Sequence, residues 1–143
     1  MLSRVALALL LTIPLSTAAH SLEPAYRIIR FQQGITRFPM TAINAFNHTE
    51  DFEVEVFADD SFSEPLEFTA IPWVLRLQPQ DGREFTIEMS EVAQEDFLVC
   101  TRTHVDNGST RICSRVIVCE PYASNTECKR RVQQRRGSYF LGR

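Results

Sequence analysis

Four cysteines, three histidines and 18 acidic residues offer this 143-residue chain its widest choice of chemistry. Zinc needs thiolates in close pairs such as C-x2-C, and thiol–disulfide catalysis needs a low-pKa cysteine in Cys-x-x-Cys. Cys100, Cys113, Cys119 and Cys128 show neither spacing. His48 and His104 have no neighbours in a Ser-His-Asp or metal-ligand pattern. Asp59-Asp60 and Glu64 form an acidic loop, but their spacing does not follow that of an EF-hand. The sequence therefore points away from an enzyme and implies no metal and no cofactor. What remains is an even number of cysteines suited to two disulfides, provided the compartment is oxidising.

The N-terminus predicts such a compartment. Arg4 precedes the apolar run Val5 to Leu15, and the small residues Ser16-Thr17-Ala18-Ala19 follow. A basic start, a short apolar stretch and a small-residue exit are the marks of a secretory signal peptide, here residues 1–19. A spanning helix would need roughly 20 apolar residues. The expected localisation is export, to the periplasm or the cell surface. The remaining length suits one domain, and 44% hydrophobic with 23% charged residues excludes a disordered or fibrous chain.

Charge is divided unevenly. Residues 20–128 hold eight arginines and all 18 acids, a balance of −10, whereas Lys129, Arg130, Arg131, Arg135, Arg136 and Arg143 stand with no acid among them. Such asymmetry suits an interaction tail. Export argues against nucleic acid as its partner. A solvated end, an acidic protein partner and an anionic envelope surface are the readings left.

The elements that must position these groups read as short strands. Residues 26–31, 37–46, 52–56, 83–89, 97–105 and 110–119 alternate or carry β-formers, and 66–78 reads as two strands or a bent one around Pro72. Pro39 belongs at a strand start or an edge. Asp106-Asn107-Gly108-Ser109 sits between two alternating runs, a strong hairpin signal. About seven strands with regular turns predict an all-β, immunoglobulin-like sandwich. Four cysteines allow three pairings. A hairpin that sets Cys100 opposite Cys113 would leave Cys119 and Cys128 to close a small loop. Ser124 with Glu127 forms a capping box, which opens a basic helix over 126–136 with Gly137 as its stop.

The stretch from Ala70 to Ile87 (AIPWVLRLQPQDGREFTI) resembles the N-terminal domain of PapD-like periplasmic pilus chaperones. Ser21-Leu22-Glu23 with Arg27-Ile28-Ile29, Met40 to Asn44 and Asp96 to Arg102 resemble further strands of that family, over residues 21–121. The resemblance implies a protein partner, a pilus subunit or an usher-type assembly protein, bound by β-strand edge pairing. It also implies basic residues that hold a C-terminal carboxylate. Arg27 matches the first-strand arginine, and Arg111 or Arg115 stands near the last-strand lysine. Ile112, Val116 and Val118 are the candidate donor stripe, which is otherwise half of a sandwich core. Three features depart from the family: only 22 residues follow Pro121, the last hairpin is short, and Ser114 interrupts the apolar alternation. The domain reading is 1–19 leader, 20–121 sandwich and 122–143 basic, disulfide-tied tail. The alternative function is a stand-alone, disulfide-stiffened structural or adhesive envelope protein.

Overall fold

The computed structural model describes residues 20–92, 95–105 and 108–140, with side chains to residue 134. The leader, the Asp106-Asn107 turn and Leu141 lie outside the described residues. Among the described residues nine strands form two sheets: β1 (His20–Glu23), β2 (Tyr26–Arg30), β3 (Thr36–Asn44), β4 (Glu50–Phe57), β5 (Thr69–Ile71), β6 (Val74–Leu77), β7 (Gly82–Met89), β8 (Phe97–Val105) and β9 (Gly108–Cys119). One sheet has the order β1-β3-β7-β5 and the other β2-β9-β8-β4-β6. The β2–β9 ladder is parallel and the others are antiparallel. This is an immunoglobulin-like β-sandwich.

Nine strands appear where about seven are expected, because prolines divide two of them. Proline cannot donate to a ladder, so pairing stops at Pro24 and at Pro72. There the chain crosses from one sheet to the other, β1 to β2 and β5 to β6. Pro39 lies inside β3, but β1 pairs only with Thr41–Asn44. At Pro39 the strand therefore has one neighbour, the local edge that proline requires.

Period-two alternation fills the core. Phe38, Met40 and Ala42 from β3, Phe52, Val54 and Val56 from β4, and Phe85, Ile87 and Met89 from β7 all face inward and are buried. The two expected cystines are present, Cys100–Cys113 and Cys119–Cys128. The first joins directly opposed residues of β8 and β9. Val105 opposes Gly108, so a two-residue connection closes this hairpin.

Helix α1 (Asn125–Phe140) starts as the capping box predicts: the Glu127 amide donates to Ser124 Oγ at 3.2 Å, and the Ser124 amide donates to Glu127 Oε2 at 2.7 Å. Gly137 does not end it. An interior glycine costs a helix only about 1 kcal/mol relative to alanine, too little to act as a stop alone. The helix lies against the outer face of the five-stranded sheet, where Cys128 and Val132 meet Ile117, Cys119 and Tyr26. Arg131 anchors it to the buried Asp96 at 3.0 Å, and Asp96 also accepts the Val118 amide at 3.1 Å.

His20 is a buried base. Its Nε2 stands 3.2 Å from the Thr101 carbonyl, and Nδ1 has no hydrogen-bond partner among the described residues. Burial pushes its pKa below the usual imidazole value, outweighing the bond to Thr101. A depressed histidine is neutral in the fold while the unfolded chain still takes up the proton, so stability falls as pH drops below about 6.5. Glu50 and Glu53 are also depressed, mainly by bonds from Thr103 and Arg102 respectively. Their contribution is lost at lower pH, from about 4.5 downward. Urea titrations of wild type and His20→Gln should separate the two windows: the variant loses the upper slope and keeps the lower. An upper slope unchanged in the variant would assign it to another group.

Candidate functional site

β9 is two strands in one. Over Arg115–Val116 it lies between β8 and β2 and over Ile117–Cys119 it pairs with β2, whereas over Gly108–Ser114 it pairs with β8 alone. Among the described residues no strand covers the outer side of that first half. The direction of its backbone follows from the second half. The Arg115 amide donates outward to the Ala25 carbonyl at 3.1 Å, and the Cys119 carbonyl accepts the Phe31 amide at 2.8 Å. The Val118 amide points the other way, to Asp96. Backbone groups alternate along a strand, so Ser109, Arg111 and Cys113 turn their N–H and C=O groups toward the open edge. This is an unpaired template for another strand.

Side chains alternate as well, and here the structure changes the reading of the candidate residues. Val116 and Val118 face the opposite sheet, at 0% and 1% exposure, and belong to the core. They do not form an open edge, because β2 pairs with both, β8 pairs with Val116, the Asp96 carboxylate takes the Val118 amide, and both side chains are buried in the core. Ile112 is half-buried against the same core. Ser114, the break in the stripe, is also buried, with its hydroxyl donating to the Pro24 carbonyl at 2.5 Å. That bond fastens the β1–β2 crossing to β9.

The three arginines do not come together. Arg27 shares the inner side of β2 with Ile29, whereas Arg111 and Arg115 project from the outer face of β9. Arg111 bonds Glu55 through Nε at 2.6 Å and Nη2 at 3.3 Å, and its guanidinium lies over the rings of Phe57 and Phe62. Arg115 donates to Asp60 at 2.5 Å and is 11% exposed. A carboxylate ligand would have to displace Glu55 or Asp60, so the two β9 arginines act first as internal ion-pair partners. Arg102 extends the set, donating to Glu53 at 2.6 Å and standing 3.3 Å from Glu55. It holds the Glu53 carboxyl below its ordinary pKa.

Sequence reasoning missed Glu55 and Asp60. The signal was present in part: Glu53 and Glu55 stand two apart on β4, while Arg102 on β8 is opposed to Arg111 on β9. Strand order was needed to set them side by side. Beside Arg115 a cavity of about 310 Å³ opens on the outer face, lined by Ala25, Tyr26, Phe62, Leu98 and Cys113. Among the described residues no cluster of three or more metal-ligating side chains occurs.

No protein-family model and no curated protein matches this chain. Solved structures do. The E. coli chaperone DraB superposes with a TM-score of 0.61 at 16% identity, covering 74% of this chain and 57% of its own. Salmonella enterica SafB, solved in complex with the SafA pilin, gives 0.59 at 16% identity, with 74% and 56% covered. The Pseudomonas aeruginosa chaperone CupB2 gives 0.60 at 10% identity, with 75% and 59% covered. The chain resembles the N-terminal immunoglobulin-like domain of PapD-like periplasmic pilus chaperones. At these identities the likeness is one of fold, and the chain spans just over half of each chaperone's length. In this chain the local features of that fold are the open half of β9 and the helix tied across its other half.

Proposed function

We propose that the chain is an exported, chaperone-like module that pairs the open edge of β9 with a strand of a fibre subunit. The observation that carries this reading is the unpaired outer side of β9 over Gly108–Ser114, within a fold shared with pilus chaperones. Backbone groups of Ser109, Arg111 and Cys113 would supply the ladder, and Ile112 and Thr110 the adjoining contact surface. Export is supported by the leader-like residues 1–19 and by two cystines, which persist in oxidising compartments. On this reading residues 20–121 form the working domain and 122–143 a basic tail held by Cys119–Cys128. Among the described residues no helix is long and apolar enough to cross a membrane.

A second reading has its own support. Arg111 and Arg115 are engaged by Glu55 and Asp60, and the apolar stripe is turned inward, as suits a stand-alone structural envelope module.

Ser109→Pro separates the two. It removes an outward N–H at an exposed edge position, which a sheet tolerates. It should weaken one-to-one co-purification with a co-expressed pilin subunit by about tenfold, with thermal unfolding close to wild type. Thr110→Pro is the control, because its N–H faces β8: the domain itself should lose about 3 kcal/mol. A Ser109→Pro protein that captures the pilin as wild type does, or a wild type that captures none, supports the structural module instead.

A further inference from the structure

Apolar side chains are also exposed around the point where the chain crosses between sheets at Pro72. Ile35, Ile71, Trp73 and Val74 are 52%, 58%, 53% and 46% exposed. Trp73 stacks on Phe68 with ring centroids 5.1 Å apart. That exposure departs from the packing role its type suggests. Ile35, Phe68 and Trp73 line a groove of about 480 Å³, and a second of about 480 Å³ adjoins it through Leu66, Glu67 and Ser90. Exposed apolar and aromatic side chains that line a groove mark an interaction site on a folded domain.

Its rim is acidic. Glu67 and Glu88 line the first groove, and Glu67 and Glu91 the second. Arg37 holds Glu88 at 2.6 Å, whereas no ion pair is found for Glu67 or Glu91 among the described residues. An aromatic floor with uncompensated carboxylates fits a segment that carries both cations and bulky apolar side chains. The chain contains one: residues 135–143 read RRGSYFLGR, three arginines around Tyr-Phe-Leu. Its body carries −10 and this end is purely basic.

We propose that the groove between β5 and the Leu66–Phe68 segment receives the basic C-terminal segment of a second copy of the chain. Helix α1 is pinned at the β2–β9 edge by Cys119–Cys128 and by Arg131–Asp96, while the groove lies at the β5 end of the other sheet. Donor and acceptor are thus different surfaces, and the contact is head-to-tail, a geometry that builds rings or open chains. Opposite charge speeds such an encounter and makes it salt-dependent.

Sedimentation velocity on the full exported chain tests this. Wild type should associate with rising concentration at low salt and dissociate as salt is added. Glu67→Lys/Glu91→Lys and Arg135→Glu/Arg136→Glu should each weaken association by about tenfold or more, with unchanged far-ultraviolet circular dichroism. Mixing the two variants should restore assembly in a one-to-one ratio, because each supplies the charge the other lost. A wild type that stays monomeric at low salt overturns the proposal, as does association that neither variant affects. So does a monomer whose Trp73 fluorescence responds to the tail variant, which would put the segment in its own groove.

Discussion

Val116→Ser should destabilise the domain by about 3 kcal/mol, through lost apolar burial and a hydroxyl left without a partner. Val116 has no exposed surface, and its position on β9 lies between β2 and β8. Ile112→Ser, at a half-buried position on the open half, should cost about 1 kcal/mol. Urea unfolding midpoints of the two variants give the comparison. Equal, small losses for both would mean that the stripe is not part of the core, and that the inward assignment of Val116 is wrong.

Removing the hairpin cystine should have an effect of similar size. Cys100→Ala/Cys113→Ala opens a link between residues 13 apart in sequence, a constraint worth about 3 kcal/mol in the unfolded chain. Cys100 is also fully buried against Phe57 and Leu98, so its loss leaves unfilled space. Cys119→Ala/Cys128→Ala should act locally: amide exchange in α1 speeds up while the sandwich keeps its protection, because the helix contacts few other elements. Denaturant unfolding of the first pair and hydrogen exchange of the second distinguish a rivet in the sheet from a tether on its surface. A change below about 0.5 kcal/mol for the first pair would show that the β8–β9 register holds without the bond.

The alternating strands were legible because one wet face and one dry face leave a period of two in the residues, as in FEVEV and REFTIEM. The β8–β9 hairpin was legible from its Asn-Gly, and the helix start from Ser124 and Glu127. Less visible was anything that depends on which strands lie side by side. The parallel β2–β9 ladder joins segments about 90 residues apart, and no local pattern announces it. The point where that ladder stops leaves the edge beside Arg111 open, and the facing sheet makes Val116 core. The same limit hid the pairing of Arg111 with Glu55 and of Arg115 with Asp60. Charge counts gave their types, but topology supplied their distances. An indole would ordinarily pack inward, whereas Trp73 stands where the chain crosses between sheets after Pro72 and is half exposed.

The central claim, an open edge on the first half of β9, is tested most directly by residue-resolved amide hydrogen exchange of the free protein. Fast exchange at Ser109 and Arg111, with slow exchange at Thr110 and Ile112 between them and at Arg115 beyond, is the expected alternation. Uniform protection from residue 109 to 115 would mean that another segment already covers this edge, and would contradict the account.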